Sequence, residues 1–329
     1  MKIYTNPTDE NILNNASFLT HAGNMHADEV FSAVVLNIPD NWDKILIRIN
    51  QVPENTNALC FDIGHGKYDH HQVGGNGKRP WNNIPYSSIG LIWKDFGNAY
   101  IYSVLEENYK KIDAPSPEAT AKFINPIHQH VDKHLIQCID AMDNGIPAYD
   151  RPGSYNTMNI VTIINQFNPT WDEIPEEINY YNQMQTKRFE SAMTTARITL
   201  NNLILRAYSN LKAKQLEKSI IENTKGKILT LTKSLPWTLY KSIYPSQIAF
   251  VVFPNNRTGY IVQCVPTSQG SQTPKIPFPE FLCGMTPDKL QKSTNIPTAI
   301  FVHKDGYIAG ATTQEDAIKL AEFAIRYYS

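Results

Sequence analysis

The chain has 329 residues, about twice the usual domain size of roughly 150, so two cores are expected. Hydrophobic residues make up 42% and charged residues 19%, which excludes a disordered or fibrous chain. With 30 basic against 31 acidic residues the net charge is -1, which excludes a global field for a long polyanion; any nucleic-acid contact has to be a local groove.

The polar N-terminus, Met1 to Asn15, lacks the apolar core of a signal peptide, and no stretch is long enough to span a bilayer. A cytoplasmic protein without membrane contact is expected. The first half then alternates β-rich and helical runs, the pattern of a parallel sheet with crossover helices. Strands are predicted at Ser17 to Thr20, Lys44 to Gln51 and Ala58 to Ile63, and helices at Asp28 to Ile38, Ser87 to Leu105 and Ala119 to Met142. Pro126 should kink or break the last of these. Between Val73 and Pro85, three glycines and two prolines beside Lys78 and Arg79 read as a mobile surface loop. From Glu176 to Glu222 an apolar stripe on a polar background predicts one or two long helices. Strands follow near Lys227 to Thr232, Gln247 to Phe253, Gly259 to Val265 and Thr298 to His303, then a closing helix from Thr313 to Tyr327. The expected division is residues 1–172 as a metal-binding catalytic domain, 173–224 as a helical connector, and 225–329 as a smaller mixed α/β domain.

Four polar clusters stand at predicted strand ends or on adjoining helices, where ligands collect in open α/β sheets. The first is Thr20-His21 through His26, Asp28 and Glu29; the second is Asp62, ending an apolar run. The third is Tyr68-Asp69-His70-His71-Gln72, and the fourth is Asp140-Ala-Met-Asp143-Asn144-Gly145. Imidazole and carboxylate together suit divalent ions of the manganese type. Each piece alone has a bland reading, since a lone Asp serves as a turn former and a lone His as a hydrogen-bonded surface residue. Their joint placement in a chain with only 9 His favours one metal crevice, because crowded carboxylates need compensating charge. A rival site lies at His128, His130 and His134: the last two have the i, i+4 spacing of a helical zinc pair but lack the Glu of a metalloprotease. The four cysteines, Cys60, Cys138, Cys264 and Cys283, form no Cys-x-x-Cys pair, so neither a disulfide framework nor a thiolate zinc site is expected.

This ordered series resembles the motifs of the DHH phosphoesterase superfamily. More narrowly, with Ser87-Ser88-Ile-Gly90-Leu91, Pro236-Trp237 and Phe301-Val-His303-Lys304-Asp-Gly306-Tyr-Ile-Ala-Gly310, it resembles the melanocyte-proliferating-gene type of exonuclease over nearly the whole chain. One departure stands at Pro279-Glu280, followed here by Phe281-Leu-Cys283-Gly284 where the family usually carries Trp-x-Gly. The resemblance implies a Rossmann-like, mostly parallel sheet, a helical connector, a smaller mixed α/β domain, and manganese-dependent cleavage of RNA or DNA from the 3′ end. Magnesium or zinc are alternative ions. Carried over residue by residue, His21 and His26 would hold one ion, and Asp28, His70 and one or both of Asp140 and Asp143 the other, with Asp62 bridging them. Asp143 is favoured over Asp140 because the Asn-Gly after it lets backbone approach the site. Asp69 would orient an imidazole, and His71 would contact the scissile phosphate or protonate the leaving oxygen. The resemblance also places His303, Lys304, Gly306 and Gly310 at the substrate, although their spacing alone reads as a hairpin turn. Lys78 and Arg79 would add local positive charge. Two rival functions stand beside this one: a phosphoesterase for pyrophosphate, short oligonucleotides or cyclic dinucleotides, and a metal- and nucleotide-binding protein without turnover. The sequence leaves the oligomeric state open.

Overall fold

The structure is a computed structural model that describes residues 1–109, 117–146, 158–238, 247–268 and 271–329. It is α/β and divides into two compact units, Met1–Tyr208 and Ser209–Ser329.

The first unit is built on a four-stranded, wholly parallel sheet in the order β1 (Lys2–Thr5), β3 (Ile45–Ile49), β2 (Phe18–His21), β4 (Leu59–Cys60). A short helix α1 (Glu10–Asn14), N-capped by Asp9, makes the first crossover. Helix α2 (Ala27–Leu36) makes the second, and all ten of its residues are buried. A helix buried all round has to bring partners for its polar side chains. Ser32 Oγ lies 3.5 Å from Ser88 Oγ, and Asp28 and Glu29 occupy the first turn, where the helix dipole favours carboxylates.

Helix α3 (Ser88–Tyr109) packs on α2 through a core that includes Phe31, Val34, Ile92 and Trp93. Helix α4 (Pro117–Val131) is not broken at Pro126, the second of the two outcomes expected there. Regularity fails later instead, in a wide turn at Asp132–Ile136 that leads into α5 (Gln137–Asp143). That turn is where Asp132 is tied to Arg79, so a tertiary ion pair and not the proline sits at the irregularity. After α6 (Ile160–Asn165), a single 45-residue helix α7 (Ile178–Glu222) carries the chain from the first unit into the second.

The second unit contains a five-stranded mixed sheet in the order β5 (Ile228–Thr230), β6 (Phe250–Asn255), β7 (Gly259–Cys264), β9 (Ile308–Ala311), β8 (Ala299–Val302). Only the β5–β6 pair is parallel. Period-two alternation separates its two cores: Phe250 and Val252 join the cluster under α8 (Pro287–Thr294) and α9 (Gln314–Tyr327), while Val251 packs with Trp237 and Leu231 on the other face. The Pro236-Trp237 motif therefore contributes a core residue. Among the described residues no helix is long and apolar enough to cross a membrane.

Candidate metal centre

The carboxyl ends of β2 and β4 set the site. His21 is the last residue of β2, and Asp62 lies just past β4. Asp62 has φ +56°, a left-handed conformation uncommon outside glycine, which the Asp62 N to Tyr68 O hydrogen bond helps to hold. The loop closes on itself through Asp69, whose Oδ2 accepts from His65 N at 2.7 Å, and this brings His70 and His71 back over the strand ends.

Asp62 is central and buried. Its Oδ2 lies 3.1 Å from His21 Nε2, while its Oδ1 lies 3.3 Å from His70 Nε2 and 3.6 Å from His71 Nδ1. His70 Nε2 also stands 3.0 Å from Asp143 Oδ2 and 3.7 Å from Asp28 Oδ2. Three groups of ligand atoms lie within 4.8 Å of one another: His21, His26, Glu29 and Asp62; Asp62, His70 and His71; and His26, Asp28 and Asp143. Asp62 and His26 are shared between groups, so the three form one connected cluster.

Local structure orients each donor. His21 Nδ1 is 2.9 Å from Ala22 O, which favours the tautomer that leaves Nε2 as a lone-pair donor. Glu29 accepts from His26 N at 2.8 Å, the returning arm of a capping arrangement. Asp69 Oδ1 is 2.7 Å from His71 Nδ1, so Asp69 orients His71.

The electrostatics call for positive charge. Burial, then the Asp62 and Asp143 charges, push the Asp28 pKa well above its ordinary value. Burial also raises Glu29 to about 7, with His21 and Arg48 opposing it. Burial works to lower His21, but its close pairing with Asp62 and the Glu29 charge prevail and raise it to about 9. His70 follows the same balance: burial lowers it, and Asp143 and Asp62 raise it to about 10. For Asp62, burial favours the neutral acid, yet His21 and His70 hold the carboxyl well below its usual range. Both Asp62 oxygens and Asp28 Oδ1 are buried without an aligned hydrogen-bond donor. Orphaned buried carboxylate oxygens beside imidazole nitrogens are the donor set that a divalent cation satisfies, so these residues fit metal ions.

Asp140 is not among the grouped ligands. Its Oδ1 accepts from Ser87 N, Ser87 Oγ and Gly90 N, and its Oδ2 from Arg79 Nη1 at 2.6 Å. Arg79 requires a correction, because it is fully buried rather than solvated on a mobile loop. Its Nε and Nη2 hold Asp132 at 3.1 and 2.5 Å, and the segment around it is pinned by the Arg79 N to Ile84 O and Tyr86 N to Gly77 O bonds. Nε–H and one N–H of each terminal nitrogen go to Asp132 and Asp140, so the buried guanidinium is held between protein carboxylates as a structural group. Lys78 is exposed.

The helical histidines form no group of three ligands among the described residues. His128 stacks on Trp93 at 5.0 Å, and His134 Nδ1 is 2.8 Å from His130 O. In the second unit, His303-Lys304-Asp305-Gly306 is the β8–β9 turn, with Gly306 at φ +65° and Lys304 exposed, and Gly310 leaves room for the Phe301 ring. Two residues at the first site escaped the sequence reading. Glu29 was visible within its motif, next to Asp28. Arg48, buried in β3, reaches Gly23 O at 3.0 Å and Gln185 Oε1 at 3.1 Å and lies 3.8 Å from Glu29; nothing in an apolar strand pattern marks it.

The sequence profile of an uncharacterised protein family, UPF0160 or MYG1 exonuclease, matches residues 17–325. The chain belongs to the MYG1/UPF0160 family. It is 28% identical to a MYG1 protein of Schizosaccharomyces pombe, covering 94% of this chain and 97% of the relative. A Rattus norvegicus protein named MYG1 exonuclease is also 28% identical, over 92% of this chain and 82% of that protein. The Homo sapiens MYG1 exonuclease is 27% identical, over 92% and 84%. No solved structure matches. Family membership and the ligand clusters agree with a metal-dependent phosphoesterase in general.

Proposed function

We propose that this chain is a two-metal phosphoesterase of the DHH type that degrades RNA or DNA from the 3′ end, with manganese as the preferred ion. The observation that carries the reading is Asp62, whose two buried oxygens face different imidazoles and lack aligned donors. A carboxylate so placed would help to hold a cation on either side. His21 stands at its Oδ2, grouped with His26 and Glu29, and His70 stands at its Oδ1, with Asp28 and Asp143 beside His70. Asp143, not Asp140, completes the set, since Asp140 already has a donor on each oxygen.

Such a metal pair, when bound, supplies a hydroxide nucleophile at neutral pH and neutralises charge on the phosphoryl oxygens. The protein's own part is positioning and proton transfer. Asp69 holds the half-exposed His71 through Nδ1, leaving Nε2 to deliver a proton to the leaving oxygen. Glu29, anchored at its helix start, keeps His21 aligned. The same proposal assigns residues 1–172 to the catalytic part, 173–224 to a connector and 225–329 to substrate binding. Its substrate contacts are His303, Lys304, Gly306 and Gly310 in the second unit and Lys78 in the first, supported by the family motifs.

The test is to strip the purified chain with chelator, reload it with Mn²⁺, Mg²⁺ or Zn²⁺, and measure bound metal. The loaded protein is then offered end-labelled RNA, end-labelled DNA, dinucleotides, a cyclic dinucleotide and pyrophosphate in parallel. Ladder products shortening from the 3′ end of RNA or DNA are expected. Release only from the small substrates would replace the exonuclease reading, and failure to bind any metal would end it.

A further inference from the structure

A cavity of about 780 Å³ lies in the first unit, lined by residues of the Pro80–Tyr86 segment, α3, α4 and the turn after α4. No residue of the metal cluster lines it. Its size falls within the roughly 300–1,000 Å³ typical of small-molecule sites. We propose that it is a second binding site, for a nucleotide, with the base among its aromatic rings and the phosphate at its lysines.

The aromatic wall is pre-built. Trp93 and His128 stack at 5.0 Å with 19° between their planes. Trp93 Nε1 donates to His128 O and His128 Nε2 lies 3.0 Å from Trp93 O, which fixes the two rings against each other. Trp93 itself is buried, so the stack is a rigid backing, and the half-buried His128 and Tyr86 with the exposed Trp81 supply the ring surface that a ligand meets. Gly97 permits the stack, because a Cβ there would come within 2.8 Å of Trp93 and 2.9 Å of His128. Gly90, on the same helix, lines the cavity, and a Cβ there would come within 2.7 Å of Tyr86. Trp81 lines the cavity yet remains 66% exposed, a large flat surface with little of the protein against it.

The charge at the wall is positive. Lys94 and Lys133 line the cavity, are exposed, and form no salt bridge among the described residues, while the Lys94 charge also acts on Asp95. Lys94 Nζ stands 6.0 Å from the Tyr86 ring centroid, on a ring that also carries the Arg79 guanidinium at 4.6 Å. The one carboxylate in the wall, Asp132, is consumed: Arg79 Nη2 takes its Oδ1, and Arg79 Nε and Gln137 Nε2 take its Oδ2. Flat rings for stacking beside two exposed ammonium groups select a ligand that joins a flat ring to an anion, as a nucleotide does. That nucleotide is either free or a residue of a single strand.

The experiment uses the full chain in EDTA, so that binding is read without turnover. Tryptophan fluorescence and calorimetry follow titration with adenosine 5′-monophosphate, a short oligodeoxyadenylate, adenosine and inorganic phosphate. The monophosphate or the oligonucleotide should bind once per chain, more tightly than adenosine or phosphate alone. Trp81→Ala and Lys94→Gln, both at exposed positions, should each weaken that binding by about fivefold or more while leaving the unfolding transition in place. Tighter binding of the monophosphate identifies a free nucleotide as the ligand, and tighter binding of the oligonucleotide identifies a strand residue. Asp62→Asn should retain the binding, which separates this site from the metal centre and its proposed activity. Absence of saturable binding into the millimolar range, indifference to both Trp81→Ala and Lys94→Gln, or loss in Asp62→Asn would each overturn the proposal.

Discussion

Two buried ionic clusters in the first unit solve the same problem in opposite ways. In one, Asp132 and Asp140 surround Arg79, and each of their oxygens receives a donor. In the other, Asp28 and Asp62 keep buried oxygens that no aligned donor reaches. The link between them is a single dipeptide: Ser87 donates to Asp140, and Ser88 N donates to Asp28 Oδ2 at 3.3 Å. A carboxylate compensated by a guanidinium is finished as a structural device. A carboxylate faced by imidazoles, whose ring nitrogens can exchange a proton for a metal ion, keeps its affinity for a cation.

The comparison breaks most sharply at Asp62. Asp62→Ala should lower metal retention and phosphodiester hydrolysis by more than about a hundredfold, since removing even an outer partner of a metal ligand costs about 10- to 100-fold. Metal analysis and a rate assay on the same preparation check this, and normal activity would remove the bridging role. Next in size is Arg79→Met, which strands two carboxylates. It should cost about 3–5 kcal/mol in denaturant unfolding, equally with and without Mn²⁺, because its network holds structure and not metal. A loss seen only with metal present would mean that the two clusters are one.

A third effect is pH dependence. His21 and His70 are raised to about 9 and about 10, and Glu29 to about 7, so the metal-free native state binds protons more tightly than the unfolded chain does. The stability from the histidines is complete below their ordinary value of about 6.5 and is lost as pH rises through 9 to 10. Glu29 acts in the same direction, its share being lost as pH rises through about 7. Metal binding must displace these protons, so Mn²⁺ affinity should climb from pH 6 towards pH 9 to 10 while the melting temperature of the metal-free chain falls. Flat titrations of both quantities would contradict this electrostatic balance. The smallest effect is expected at the exposed Lys304. Lys304→Ala should leave folding unchanged, raise KM for a strand substrate a few-fold, and reduce the log–log salt slope of binding by about 1.

Much of the first unit is legible in its residues. Phe18 to His21, Ile45 to Ile49 and the apolar face of α2 follow hydrophobic periodicity, and their alternation implies parallel pairing. β1 is less visible, since Lys2–Thr5 is a short edge strand with one fully buried residue and a polar neighbourhood. The two-residue β4 is far shorter than the run from Ala58 to Ile63, because the chain turns left-handed at Asp62 to make the site. Arg79 misled for a physical reason: glycines and prolines describe how easily a backbone bends, and carry no information about the two carboxylates that bury its side chain.

By itself the sequence determined the α/β class, the order of elements and the residue types able to hold a divalent ion, because periodicity and ligand chemistry are local properties. Tertiary structure alone decided which carboxylates remain unpaired. Asp140 and Asp143 lie on one short helix, yet Arg79, from a distant segment, reaches the first, and His70 meets the second. Whether a carboxylate serves the fold or a metal depends on the donors that packing brings to its oxygens, and that partnership exists only once the chain has folded.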